Sequence, residues 1–115
     1  MSSTPRFLQG VHPFTGAGLE KPVALDGLAS LAVPDGHRAQ PVYFRGGNPT
    51  DELVVVALLR DGVTMRLFPV GAKSSVHVPL SIVEDVEAPS TLELRVMAPE
   101  GLAGTVVVDL GLVEV

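Results

Sequence analysis

Two apolar runs separated by the dipeptide Asp61-Gly62 constrain the fold of this chain more than any other feature of its sequence. Both central residues of a type I′ turn need a positive φ angle, which glycine adopts freely and aspartate tolerates. Residues 53–60 and 63–68 are therefore predicted to form an antiparallel hairpin, and the three consecutive valines of the first run favour a strand over a helix. Because the first run does not alternate with polar residues, we expect both of its faces to be covered.

The second run of the hairpin alternates apolar and polar side chains. Val63, Met65 and Leu67 are separated by Thr64 and Arg66. Successive side chains of a strand point to opposite faces of the sheet, so we expect the three apolar residues to face the core.

Composition limits the chain to one domain with an aliphatic core. A chain of 115 residues is long enough for one core without disulfides, and the absence of cysteine excludes thiolate catalysis and cysteine metal sites. Hydrophobic residues make up 46% of the chain but aromatic residues only 4%, so the core is built mainly from Val, Leu and Ala. Such an apolar excess in a small domain predicts that some of it is buried between subunits.

Charge and hydropathy restrict the partners and the location. The formal net charge is −5, and an acidic surface repels phosphate, so we expect no nucleic-acid partner. No run approaches the ~18 apolar residues that a membrane helix needs, and the first residues lack the apolar stretch of a signal peptide. We therefore expect no membrane partner and a cytoplasmic or virion location.

Residues 1–22 are predicted to form an irregular N-terminal arm. Three prolines and three glycines interrupt this segment at short intervals, which forbids a helix and breaks a long strand. The segment also carries two of the four Phe residues, so it should lie on an apolar surface, either of its own domain or of a neighbouring subunit.

Residues 23–115 are predicted to form a β-sandwich of about seven short strands. Besides the hairpin, strands are expected at residues 28–33, 41–44, 76–82, 91–97 and 105–115, with a loop at 46–51 and with Pro79 marking an edge strand. The inward residues of the last two strands are predicted to be Leu92, Leu94, Val96, Val106, Val108, Leu110 and Leu112. This all-β, antiparallel pattern resembles immunoglobulin-like sandwiches in architecture alone, and a small β-barrel is the alternative.

No motif predicts catalysis, a cofactor or a metal. The histidines His12, His37 and His77 are too far apart in sequence to form a metal-ligand pair. The acidic residues Glu84, Asp85 and Glu87 lack the central glycine and alternating ligands of a calcium loop. A Ser-His-Asp set drawn from Ser74, His77 and Asp85 lacks a nucleophile elbow. We therefore predict no catalytic, cofactor-binding or metal-binding residue, and no enzyme.

The sequence leaves two functions open. The first is a non-enzymatic structural module that joins a multimeric assembly through its arm and sheet edges, most concretely a phage-type virion component such as a capsid decoration or tail protein. Its partners would be proteins, in a homo-oligomer or a larger lattice. The predicted interface residues are Phe7, Leu8, Val11, Phe14, Val107 and Val113. The alternative is a soluble oligomeric β-sandwich that binds a small ligand or carbohydrate, against which the scarcity of aromatic platforms argues.

Overall fold

The computed structural model describes residues 3–115, and its regular structure is entirely β. None of the described residues forms a helix that could span a membrane. The strands are β1 (Thr4–Thr15), β2 (Gly18–Ala24), β3 (Leu31–Val33), β4 (Arg38–Asn48), β5 (Val54–Arg60), β6 (Val63–Val70), β7 (Ser74–Pro79), β8 (Val86–Glu87), β9 (Ser90–Ala98) and β10 (Ala103–Glu114).

The strands form two five-stranded antiparallel sheets that pack face to face. Sheet A has the order β1-β10-β4-β7, with β8 added to β4, and sheet B has the order β2-β9-β5-β6, with β3 added to β9. The predicted β-sandwich is therefore confirmed, and the alternative of a closed barrel does not apply.

The inner faces of the two sheets form one apolar core. Phe44 of β4 stacks on Phe68 of β6 with ring centroids 4.3 Å apart, which joins the two sheets directly. The predicted inward residues of β9 and β10 are all buried, which confirms the alternation argument for these strands: Leu92, Leu94, Val96, Val106, Val108, Leu110 and Leu112.

The central hairpin is confirmed as β5 and β6. Asp61 and Gly62 have φ angles of 50° and 82°, as a type I′ turn requires. The carboxylate of Asp61 also accepts a hydrogen bond from the backbone N–H of Thr91 at 2.9 Å, which fastens the turn to β9. Both faces of β5 are covered as expected, because Ala57 and Leu59 lie on the outer face yet are buried beside Met97.

The predicted facing of β6 is wrong for two of its three apolar residues. Val63 and Leu67 are 70% and 54% exposed, whereas Phe68 is buried. The register of the hairpin shifts between Leu58 and Leu59, so β6 carries one extra residue, Met65, which packs against the core. An extra residue reverses the facing of the side chains beyond it, and sequence alternation alone does not reveal the bulge.

The irregular arm predicted for residues 1–22 is wrong for residues 3–22, because Thr4–Thr15 is a regular edge strand and Gly18–Ala24 a second strand; residues 1 and 2 lie outside the described residues. β1 pairs with β10 over its whole length without a register shift. An edge strand bonds a neighbour on one side only, so alternate residues need no N–H donor. Pro5 and Pro13 are an even number of residues apart, so their backbone nitrogens lie on the same side of the strand. β1 accommodates both prolines because one side of an edge strand needs no N–H donor.

β4 is longer than the sequence predicted, because Gly46, Gly47 and Asn48 belong to the strand rather than to a loop. Gly46 is needed on the inner face, where a Cβ atom would lie 2.7 Å from Cε2 of Phe44. The buried Asn48 side chain donates to the carbonyl of Glu52 at 2.7 Å and fixes the following loop.

β7 ends at Pro79 and pairs only with β4, so the predicted edge strand is confirmed.

Candidate functional site

The outer face of sheet A carries a row of four polar side chains, one from each main strand. In register, Asp109 of β10 lies between Gln9 of β1 and Arg45 of β4, and Arg45 lies opposite His77 of β7. Neighbouring strands are about 4.8 Å apart, so this polar row (Gln9, Asp109, Arg45 and His77) spans about 14 Å. It presents donors and acceptors of hydrogen bonds side by side.

An aromatic row flanks the polar row on one side. Phe7 of β1 lies opposite Gly111 of β10, which lies opposite Tyr43 of β4, and Tyr43 lies opposite Pro79 of β7. Phe7 is 49% exposed. Two of the five aromatic residues of the chain therefore share one row of the sheet surface.

Tyr43 is held in place by its neighbours on three sides. Its ring covers Gly111, where any Cβ atom would overlap ring atoms, and its hydroxyl donates to the Asp109 carboxylate at 3.0 Å. The Arg45 guanidinium lies 5.3 Å from the ring centroid, and the His77 ring approaches edge-on at 6.2 Å. Burial, followed by the hydrogen bond and the negative charge of Asp109, raises the pKa of the Tyr43 hydroxyl above its ordinary value of 10.0.

On the other side of the polar row the surface opens into a groove. It runs above β4, between the side chains of β10 and those of β7, and has a volume of about 450 Å³. A second depression of about 350 Å³ continues it along β4 as far as Pro49 and Lys73. The residues that line the first part are Arg45, Gly46, Gly47, Ser75, Val76, His77, Val107 and Asp109.

Gly47 forms the floor of the groove. It lies opposite Val107 on one side and Ser75 on the other, and its missing side chain leaves the space above β4 empty. A Cβ atom at Gly47 would lie 3.4 Å from Cβ of Val107, an ordinary van der Waals contact. The structure therefore allows a side chain at Gly47, and its absence is what keeps the groove open.

The predicted interface residues divide between this face and the core. Phe7, Val11 and Val107 are exposed on the outer face of sheet A, where Val11 and Val107 are direct cross-strand partners. Val113 lies on the same face and is half-buried. Their role in binding a protein partner stays a prediction.

Leu8 and Phe14 do not belong to an exposed interface. They alternate with the outward residues of β1 and are only 5% and 3% exposed in the domain core. Their assignment to an interface is corrected, because it treated the segment as an arm whose apolar residues were all available to a partner.

The acidic loop does not bring its carboxylates together. Glu84 forms an ion pair with Arg66, whereas Asp85 accepts a hydrogen bond from Gln40 at 2.6 Å and lies 3.5 Å from Arg38. Among residues 3–115 no group of three or more acidic or histidine side chains is arranged to hold a metal ion.

The other two histidines and Ser74 have local roles. The Nδ1 atom of His12 donates to the carbonyl of Asp26 at 2.9 Å, and the backbone N–H of His37 closes the turn onto Pro34 at 3.1 Å. The hydroxyl of Ser74 donates to the carbonyl of Gly71 at 2.8 Å. None of these contacts assembles a reactive set.

Sequence reasoning missed the polar row because its members come from four distant parts of the chain. Tyr43 and Arg45 alternate with the apolar Phe44, which was a usable signal that both face outward. Their alignment with Gln9, Asp109 and His77 depends on strand order and register, which the sequence pattern does not supply.

No protein-family model matches the sequence, and no curated protein matches it. The structure is similar to that of the CBM36-1 domain of a multidomain xylanase from the hindgut metagenome of Trinervitermes trinervoides. The two share a TM-score of 0.55 and 16% sequence identity over 96% of each chain. At this identity the similarity shows a common β-sandwich fold.

Proposed function

We propose that this protein is a non-catalytic carbohydrate-binding module that holds a saccharide chain against the outer face of sheet A. The observation that carries the proposal is the polar row of Gln9, Asp109, Arg45 and His77, with aromatic rings on one side and a groove on the other.

The chemistry of this face fits a sugar. Saccharides present many hydroxyl groups, which need both donors and acceptors, and the four polar side chains offer both. Sugar rings also present apolar C–H faces that pack on aromatic rings. Phe7, which is 49% exposed, supplies such a ring on this face, whereas the Tyr43 ring is already packed against Gly111 and Arg45 and serves to orient Arg45.

The fold of the structural neighbour supports the same proposal. That neighbour is a carbohydrate-binding module, which is a binding domain within a multidomain xylanase. A binding role is also consistent with the described residues, whose histidine, serine and acidic side chains form no reactive set. The more specific expectation of a phage virion component has no support from the structure or the comparisons.

The proposal is tested by filling the groove at its floor. Gly47→Val places a β-branched side chain in the groove at a strand position with ordinary backbone angles, so the domain should fold and binding should be lost. Gly47→Ala is the graded control, since its single methyl group only reaches contact distance of Val107. Binding is measured by affinity electrophoresis and calorimetry against a panel of neutral and acidic polysaccharides.

We expect the wild-type chain to bind at least one member of the panel and Gly47→Val to bind none, at unchanged thermal stability. A wild-type chain that binds no saccharide overturns the proposal. Full binding by folded Gly47→Val overturns the placement of the site in the groove.

A further inference from the structure

Among residues 3–115 Arg45, Lys21 and Arg60 form no ion pair, and of these three Arg45 is the one that lines the groove. The six ion pairs of this region use Arg6, His37, Arg38, Arg66, Lys73 and Arg95. Asp109 lies directly opposite Arg45, yet its carboxylate accepts the Tyr43 hydroxyl instead. The guanidinium of Arg45 lies over the Tyr43 ring, with Cζ 5.3 Å from the ring centroid, and Arg45 also lines the groove.

The charged residues that line the groove are mainly cations, although the chain as a whole is acidic. The chain has 13 acidic residues and 8 Lys and Arg residues. The two connected depressions are lined by the cations Arg45 and Lys73, with Asp109 as their acidic residue. Lys73 pairs with Asp51 at 3.0 Å, but both side chains are more than two-thirds exposed, so water weakens this pair and leaves Lys73 able to meet a ligand.

An arginine placed over an aromatic ring suits a planar anion. Its guanidinium offers two parallel N–H donors that match the two oxygens of a carboxylate. The Tyr43 ring limits the rotation of the guanidinium, so less conformational entropy is lost when a ligand binds.

We infer that the groove selects an acidic saccharide, one whose sugar units carry carboxylate groups, and that Arg45 determines this specificity. The inference rests on the carbohydrate-binding function proposed above and names the substrate class of the same groove. The carboxylate of a uronate unit would meet Arg45, and the next units would lie over Gly47 towards Lys73.

The test compares polygalacturonate with its fully methyl-esterified form, in which each carboxylate is replaced by an uncharged methyl ester. Binding is measured by calorimetry with the full chain at about 0.15 M salt, where long-range charge effects are screened. We expect the wild-type chain to bind the acidic polymer about fivefold more tightly, the effect of one partly exposed ion pair. Arg45→Gln should remove this preference, and Arg45→Lys should retain part of it. Lys21→Gln is the matched control, since it removes the same charge from the exposed strand β2.

The outcomes separate the inference from the proposed function. Equal affinity for the two polymers, or an unchanged preference in Arg45→Gln, overturns the selection of acidic sugars and leaves a carbohydrate-binding module. A preference that Lys21→Gln also removes assigns the effect to net charge and overturns the role of Arg45. Failure of the wild-type chain to bind any polysaccharide overturns both.

Discussion

At the residue scale, Tyr43 organises the candidate site. Its ring rests on Gly111, its hydroxyl bonds Asp109, and its face supports Arg45. The glycine is needed because the ring takes the space where a Cβ atom would lie, an arrangement in which a cross-strand aromatic side chain covers a strand glycine. The residues that would meet a ligand are thus oriented before any ligand arrives, which reduces the entropy lost on binding.

The Tyr43 hydroxyl should titrate above its ordinary pKa of 10.0. Tyr43 is the sole tyrosine and the chain has no tryptophan, so the absorbance of tyrosinate reports this one group. Asp109→Asn should lower the pKa, because the negative charge that opposes ionisation is removed. An ordinary pKa in the wild-type chain would contradict the packing described for this ring.

The same shift gives stability a pH dependence. The unfolded chain ionises near the ordinary pKa, whereas the folded chain keeps its proton to higher pH. The contribution of Tyr43 is therefore complete below about pH 10 and is lost as the pH rises through the folded-state pKa. Denaturant titrations at increasing pH should show a smaller decline for Tyr43→Phe than for the wild-type chain.

At the scale of the element, β1 shows how one strand serves both the core and the site. Its even-numbered positions supply Leu8 and Phe14 to the core, and its odd-numbered positions present Phe7, Gln9 and Val11 on the outer face. Because β1 lies at the edge of sheet A, it pairs with β10 alone and tolerates both of its prolines.

Two substitutions in β1 should separate stability from binding. Phe14→Ala should lower the free energy of unfolding by about 3–5 kcal/mol, since it leaves a cavity in the core. Phe7→Ala should cost less than about 1.5 kcal/mol, because its ring is half-exposed, but it should weaken saccharide binding. Chemical denaturation and calorimetry measure the two effects. Equal destabilisation by both variants would mean that β1 does not alternate as described.

The elements that were predictable from sequence are those whose signal is local. The Asp61-Gly62 turn and the alternation in β9 and β10 are encoded within a few residues, and the structure confirms them. The bulge at Met65 and the regularity of β1 depend on the partner strand, so proline content and alternation gave the wrong result there. The polar row depends on the register of four strands at once and was missed.

At the scale of the whole molecule, the two outer faces of the sandwich differ. The outer face of sheet A is a mixed polar and aromatic surface with a groove, whereas that of sheet B carries the small apolar cluster around Ala57, Leu59 and Met97. The predicted homo-oligomer remains a prediction, and the exposed Val11 and Val107 are where it would form on sheet A.

Light scattering at several protein concentrations tests this oligomer. If the exposed apolar residues of sheet A form the contact, the wild-type chain should have the mass of a defined oligomer, and Val11→Glu should dissociate it by placing a charge in an apolar interface. Val63→Glu is the matched control, since Val63 is 70% exposed against 63% for Val11 but lies on sheet B. A monomeric wild-type chain would contradict the predicted oligomer and leave the face free for a ligand.

The pairing of β1 with β10 also determines how the domain responds to mechanical force. Thr4 lies opposite Glu114, so a pull on these two residues acts along the hydrogen bonds of an antiparallel pair and opens them one after another. The hydrogen bond between Arg6 and Glu114, 2.7 Å long, resists the first step. Gln9–Asp109 is the sixth pair of this ladder, so tension reaches the polar row while most of sheet A and all of sheet B are intact. Stretching between these residues would therefore disturb a ligand held by this face as soon as the first five pairs have opened.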